Sequence, residues 1–371
     1  MIIVNRESTN GLSFTIYDSR LTIYEQKFMT LQKPLISVVI PTHNRSGALA
    51  QTLSELAKQK FDEPWEVVVV NHRCTDDTDE VVGRQEFPVP LRLVHRKDTP
   101  GVAAARNAGA AAAAGEYLLF LDDDILVEPD FLRRHHELLA AHPGCWIMGQ
   151  LMNLPEQERT PFGRFRRTLF SYDPPDSPIT ESKGMTGQSI SMPRTDFERT
   201  GGFDETFSIA SVEDFDLAMR ANKLGIRILY APAIMGVHND WAGFTIQDYC
   251  QRQQTYTRCE PLLWTKYGEN HPRPTLVYEN YPPRWGKDSA SLLLRKGLKR
   301  VAGTSPVRAA LFGACGVLER VCPWPPVLWR LNRILLSGAI YKGFQEGLAT
   351  HKINLNGTSP ESKLENKAGI R

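Results

Sequence analysis

Short apolar runs recur from residue 34 onward, each followed by a polar turn and then by apolar positions at helical spacing. Residues 36–40 read I-S-V-V-I, a buried strand closed by Pro41; Leu49, Leu53, Leu56 and Ala57 then fall on one helix face. E-V-V-V-V at 66–70 is a second strand, followed by a turn with Asp76 and Asp77 and a helix around 80–84. L-R-L-V-H at 91–95 is a third. The alanine-rich stretch 101–114 predicts a helix packed closely on the sheet, with Gly115 as its C-cap. A fourth strand at 118–121 is continuous in Leu and Phe, as expected where both faces are covered. Pro129 opens a helix to Ala141 whose Phe131, Leu132, Leu138 and Leu139 share one face. This alternation predicts an α/β fold with a mostly parallel, Rossmann-like, doubly wound sheet flanked by helices.

The second half is less regular. Residues 150–185 hold Pro155, Pro161, Pro174, Pro175 and Pro178 with Arg164, Arg166 and Arg167, and read as a long connecting loop of the kind that forms lids. Strands are expected at 185–193 and 226–230, a tight turn at G-G-F-D-E (201–205), and a helix at 213–224 ending near Gly225. Past about residue 245 aromatic, proline and basic residues dominate. Between Arg284 and Lys342 eleven Lys/Arg stand against two Asp/Glu, interleaved with Trp285, Leu292, Leu293, Leu294, Trp324 and Trp329. That stretch is either an amphipathic membrane-surface element, suited to a lipid-linked acceptor, or a helical appendage of the preceding domain. The expected organisation is an N-terminal extension (1–33), a main domain (34–245, with halves 34–150 and 151–245), a basic and aromatic helical extension (246–345) and a disordered polar tail (346–371).

With 371 residues, 42% hydrophobic and 23% charged, the chain supports one large or two small globular units. A formal charge of +2 gives no case for nucleic acid as a partner. Six cysteines without a C-x-x-C pair argue against a zinc knuckle or a dense disulfide framework, so a reducing cytosol is the expectation. Arg6, Asp18, Arg20, Glu25 and Lys27 interrupt the N-terminal stretch, so no secretory signal is expected, and no run reaches the ~18 apolar residues of a membrane span. The expected location is cytoplasmic, with peripheral contact at the inner membrane face through 284–342.

The polar clusters all follow strands: Thr42-His43-Asn44-Arg45, Asn71-His72-Arg73, His95-Arg96-Lys97-Asp98 and Asp122-Asp123-Asp124. Parallel strands would bring them to one sheet edge, where open α/β sheets bind ligands. Three adjacent aspartates there repel one another unless a cation or Arg/Lys neutralises them. Asp122 and Asp124 flank one residue, so on an emerging strand they point the same way and can share a divalent cation, Mg²⁺ or Mn²⁺, with a diphosphate. No G-x-G-x-x-G or P-loop is present, which leaves the cation to carry the phosphates. Arg106, on the alanine-rich helix, is either a solvated charge or a buried structural or phosphate-facing group. In Glu213-Asp214-Phe215-Asp216 neighbours lie about 100° apart, so Glu213 and Asp214 should not both aim at one atom; one can orient while the other reacts. The alternative is an acidic first turn that suits the helix dipole. His238 is open to three readings: metal ligand, phosphate donor or satisfied polar residue.

Taken in order, these segments resemble the family 2 glycosyltransferases, nucleotide-sugar-dependent enzymes of the GT-A fold. S-V-V-I-P-T-H-N-R resembles the family's first strand and turn, which implies donor contacts from Pro41, Thr42, Asn44 and Arg45. G-V-A-A-A-R-N-A-G resembles the helix with its Arg-Asn pair and implies a donor-side role for Arg106. G-E-Y-L-L-F-L-D-D-D resembles the strand ending in D-x-D, which implies Asp122, Asp123 and Asp124 on the donor, with Asp122, Asp124 and a late His238 on the metal. G-G-F-D-E and V-E-D-F-D-L-A-M-R resemble the acceptor-side turn and the E-D helix, which implies Asp214 as general base and Glu213, Gly187 and Gln188 on the acceptor side.

The resemblance implies a metal-dependent, inverting transfer of a hexosyl group from a nucleoside-diphosphate sugar to a carbohydrate or lipid-linked acceptor, in surface polysaccharide or glycolipid synthesis. One segment departs from the pattern: the family's D-D-G-S is Asn71-His72-Arg73-Cys74 here. Asn71 can still donate to and accept from a pyrimidine edge. A catalytically silent sugar-nucleotide-binding protein and a nucleotidyltransferase are the competing readings.

Overall fold

The computed structural model describes residues 2–5, 13–16, 21–25, 33–98, 101–170, 172–239, 244–321 and 324–353. The expected disordered tail lies outside them from residue 354 onward, as does most of the N-terminal extension. The chain divides into two compact units, Met1–Leu154 with Ser171–Trp241, and Pro155–Phe170 with Ala242–Arg371.

In the first unit β1 (Ile2–Asn5) and β2 (Ser13–Ile16) form an antiparallel pair, and the main sheet takes the rest. Its strands are β3 (Leu21–Glu25), β4 (Ile36–Thr42), β5 (Trp65–His72), β6 (Leu91–Arg96), β7 (Tyr117–Leu121), β8 (Ile125–Val127), β9 (Cys145–Asn153), β10 (Thr180–Ser182), β11 (Ser189–Pro193) and β12 (Arg227–His238). They run in the order β10-β12-β9-β11-β7-β4-β5-β6-β3, with β8 on β12. Helices α1 (Ser46–Leu56), α2 (Thr78–Arg84), α3 (Val102–Ala112), α4 (Phe131–Ala141), α6 (Arg194–Thr200) and α7 (Glu213–Lys223) belong to this unit; α5 (Pro161–Arg167) belongs to the other.

Strands β7, β4, β5 and β6 are parallel neighbours, so their C-terminal ends, and the four polar clusters, lie at one edge. Every residue of β4 and β5 is buried, because alternate side chains feed two cores. Val38 and Ile40 pack in one with Leu49 and Leu53, whereas Val39 packs in the other with Ala105 and Ala108. The alanines of α3 permit a close approach to the sheet. A Cβ on Gly109 would lie 2.3 Å from Val39 Cγ1.

Several elements differ from the sequence pattern. Pro41 does not close β4 but lies within it, past the last residue paired with β7, where the missing N–H costs no ladder bond on that side. Helix α3 ends at Ala112 and the chain is already extended at Ala113, so Gly115 is not its C-cap. The 150–185 stretch is not one loop: β9 runs to Asn153, and a 3₁₀ turn (Pro155–Arg159), α5 and β10 follow. β12 has twelve residues rather than five, with an irregularity between Ala231 and Met235.

The largest difference is β11, which enters antiparallel between β7 and β9 and makes the sheet mixed. Its first residue, Ser189, pairs with Leu121, the last of β7, while His238 at the end of β12 pairs with Ile125. Two strands from the second half thus deliver Gln188 and His238 to the aspartate turn.

The second unit is helical: α5, α8 (Ile246–Tyr256), α9 (Glu260–Tyr267), α10 (Pro274–Asn280), α11 (Ala290–Ala302), α12 (Ser305–Val321) and α13 (Pro325–Thr350). α13 continues past residue 345, where the helical extension was expected to stop, because Phe344 and Gly347 are buried in its final turns.

Candidate active site

β7 ends at Leu121, and Asp122, Asp123 and Asp124 form the turn into β8. Gln188 O accepts the Asp122 N–H at 3.2 Å, and Asp124 O accepts from Asn239 N at 2.8 Å. Because the strand has already ended, side-chain alternation does not carry through the turn, and the outer aspartates face different partners. Asp122 turns to Arg106. Asp124 Oδ2 accepts from Arg45 Nη2 at 2.6 Å, and Arg45 Nη1 lies 3.3 Å from Asp123 Oδ1. His238 Nδ1 is 3.5 Å from Asp124 Oδ2, and its Nε2 is 3.2 Å from Gln188 Nε2. An amide nitrogen only donates, which places the imidazole proton on Nδ1, facing Asp124.

Arginine therefore answers the repulsion expected of three aspartates, and each carboxylate feels it differently. Burial raises the Asp123 carboxyl to about 7, with Arg45 opposing and Asp124 reinforcing the shift. Asp124 is held well below the usual carboxylate range: burial works against ionisation, and His238 and Arg45 outweigh it.

Arg106 is not a solvated charge. It is 2% exposed on α3, and its Nη1 donates to Glu213 Oε1 at 3.0 Å and Asp214 Oδ1 at 3.1 Å, while Nη2 donates to Asp122 Oδ1 at 3.0 Å. One guanidinium thus ties the aspartate turn to the first turn of α7. Both carboxylates of the E-D pair reach one nitrogen, against the angular argument, because glutamate is one methylene longer and Arg106 arrives between the two side chains. Phe203 covers the cation, with its ring centroid 5.3 Å from Cζ. Its neighbour Asn107 clamps the G-G-F-D-E turn, donating from Nδ2 to Phe203 O and accepting from Phe203 N, both at 2.9 Å.

The two acidic neighbours differ in what else they hold. Glu213 Oε2 accepts from Ser211 N at 2.6 Å and its side chain is 3% exposed; that of Asp214 is 15% exposed. Gly187 N donates to Asp214 Oδ2 at 2.7 Å. Burial raises both carboxyls above their ordinary values, with Arg106 opposing in each case. For Arg106 burial would lower its value, but Asp214, Asp122 and Glu213 together raise it. Three carboxylates around one cation leave excess negative charge, which favours a retained proton.

The profile of glycosyl transferase family 2 matches residues 37–187, and that of glycosyl transferase family group 2 matches residues 117–296. Validoxylamine A glucosyltransferase of Streptomyces hygroscopicus is 32% identical over 239 residues, 56% of either chain. Pre-mycofactocin glycosyltransferase of Mycobacterium tuberculosis is 27% identical over 232 residues, 60% of this chain and 46% of that protein. The chain belongs to glycosyltransferase family 2. It spans about half the length of these curated relatives. The fold is of the GT-A type: the mannosyltransferase PcManGT of Pyrobaculum calidifontis, solved with GDP-Man and Mn²⁺, superposes with a TM-score of 0.53 at 20% identity, covering 85% of this chain and 89% of that one.

Not every residue that the family pattern assigned to the donor is open to one. Pro41 and Thr42 are buried in β4, and Arg106 is turned to carboxylates instead of open space. Asn71 is 6% exposed and anchored internally: its Nδ2 donates to Asp79 Oδ1 and its Oδ1 accepts from Cys74 N at 2.8 Å. Asp79, which no motif flagged, also lies 2.7 Å from His95 Nε2 through its other oxygen. Asn44 is exposed, and its Oδ1 accepts from Thr75 N at 2.6 Å, while Asp76 Oδ2 accepts from Ser46 N at 2.9 Å. These two bonds stitch the first and second strand-helix turns together. Where the family carries glycine in D-D-G-S, Arg73 holds φ +59°, a left-handed backbone that glycine adopts without strain.

The donor set suits a divalent cation. Asp124 Oδ1 is buried and takes no hydrogen bond, and the side chain of Asp122 is 22% exposed. Among the described residues no three acidic, imidazole or thiol groups converge on one point. A Mg²⁺-like ion held by one or two carboxylates takes its remaining ligands from phosphates and water.

Proposed function

We propose that this family 2 chain transfers a sugar from a nucleoside-diphosphate sugar to an acceptor hydroxyl by a single inverting displacement. The observation that carries the reading is the Arg106 bridge, which joins the aspartate turn to Asp214 and leaves Asp214 the more exposed member of its pair. Asp214 is the general base: burial raises its proton affinity, and Gly187 N–H and Arg106 fix its two oxygens. Glu213 is a positioning residue, closed off by Ser211 and Arg106. Asp122 and Asp124 are the residues that would hold Mg²⁺ or Mn²⁺, which when bound supplies Lewis-acid stabilisation of the departing diphosphate, while His238, with both ring nitrogens engaged by Asp124 and Gln188, orients Asp124 rather than serving as a ligand. Arg45, one third exposed, already neutralises Asp123 and Asp124 and keeps their turn in shape for the donor.

The test is release of nucleoside diphosphate from a panel of nucleotide sugars with Mg²⁺ or Mn²⁺. Asp214→Asn should lower turnover by about 10²–10⁴-fold while sparing donor binding. Asp124→Ala should abolish donor binding. The reverse pattern would exchange the two roles, and release of pyrophosphate would instead identify a nucleotidyltransferase.

A further inference from the structure

The polarity of α11 is inverted. Its Leu294, Leu298 and Val301 are 65%, 61% and 55% exposed and, spaced by four and three residues, form one stripe along the helix. On the opposite side Lys296 is 1% exposed, with Nζ donating to Asp288 Oδ2 at 2.6 Å, while Arg284 Nε donates to Asp288 Oδ1 at 3.0 Å. A soluble helix normally does the reverse, because burying lysine is costly and exposing leucine forgoes hydrophobic stabilisation. α12 continues the pattern, with Val317 and Val321 61% and 78% exposed and Ala310 and Ala314 on the same face. Trp285 before α11 and Trp324 after α12 are 83% and 61% exposed.

The charge around this surface is mostly positive. Arg300, Arg320, Arg330 and Arg333 are exposed, and Arg295 is exposed but paired with Glu279 at 3.2 Å, whereas the two acidic residues between 284 and 342 are Asp288, buried against Lys296, and Glu319, half-buried. Exposed leucine and valine stripes, terminal tryptophans and a cationic rim form the pattern of an element lying in the interface of an anionic bilayer. No described helix is long and apolar enough to span a membrane alone; α11 and α12 reach that length only together and are bent by 80°. That geometry suits helices lying along a surface.

We propose that α11 and α12 dock this chain on the surface of an anionic lipid bilayer, the Leu294-Leu298-Val301 stripe entering the acyl boundary and the arginines pairing with lipid phosphates. The full chain is to be sedimented with vesicles of phosphatidylcholine alone and of phosphatidylcholine with phosphatidylglycerol. Binding should require the anionic lipid and weaken with salt, and Leu294→Asp/Leu298→Asp should lower it at least about tenfold. Because both leucines face solvent, the variant should keep its melting temperature and nucleotide-sugar turnover. Equal binding by wild type and variant, or no binding to anionic vesicles, would overturn the proposal. So would a wild type that is dimeric by light scattering without lipid and becomes monomeric in the variant, since the stripe would then belong to a second copy of the chain.

Discussion

Gly187 donates its backbone N–H to Asp214 Oδ2 at 2.7 Å from a position where no side chain fits. A Cβ there would stand 2.5 Å from Arg106 Cζ and 2.7 Å from Asp214 Oδ1. Gly187→Ala should therefore push Asp214 and Arg106 apart without removing either. The expected outcome is a fall in kcat of about 10–100-fold with donor affinity retained, read by steady-state kinetics beside donor titration. Loss of donor binding with unchanged kcat would show that Gly187 serves the other side of the cleft.

Arg106, buried, is the guanidinium that bridges Glu213, Asp214 and Asp122. Arg106→Met removes the cation and leaves the carboxylates, which should cost roughly 3–5 kcal/mol in urea unfolding. A loss below about 1 kcal/mol would mean that the carboxylates accept protons or water at little cost.

Arg73 should be more stable as glycine. Its φ of +59° costs an L-residue about 1 kcal/mol, so Arg73→Gly should raise unfolding stability by about that amount. If the donor KM rises alongside, the strained backbone aims the guanidinium at the donor; an unchanged KM would leave the strain without a function.

His135 gives a pH signature independent of the cleft. It is fully buried beside Ser191 Oγ, at 2.8 Å from Nδ1, and burial lowers it from 6.5 to about 3. Between those values the unfolded chain binds a proton that the folded chain refuses, so this contribution to stability falls as pH drops below 6.5. The difference between wild type and His135→Gln should shrink by about 1.4 kcal/mol from pH 7.5 to 5.5, measured by chemical denaturation. A difference independent of pH would mean that His135 takes up its proton equally in the folded and unfolded chains.

What was legible in the chain follows from the range of the physics involved. Strands β4, β5 and β7 are mainly apolar because both faces are covered, and local composition betrays that directly. β9, C-W-I-M-G-Q-L-M-N, mixes polar with apolar positions because Gln150 bonds to Tyr230 and Asp173, so its run does not read as a strand. Arg106 lies 107 and 108 positions from Glu213 and Asp214, a separation over which spacing carries no information. Motif order could bring those residues to one neighbourhood but not reveal that one guanidinium joins them. The position of Asn71 was readable and its anchoring was not, since that depends on Asp79 eight residues later in α2.

The antiparallel entry of β11 has a practical consequence for redesign. Ser189 pairs with Leu121, and the next step outward, Asp122 N to Gln188 O, extends the same ladder into the cleft. The segment before Ser189 is therefore registered against the aspartate turn like a vernier against its scale. A single residue gained or lost between Gly187 and Pro193 would turn every following side chain of β11 to the opposite face.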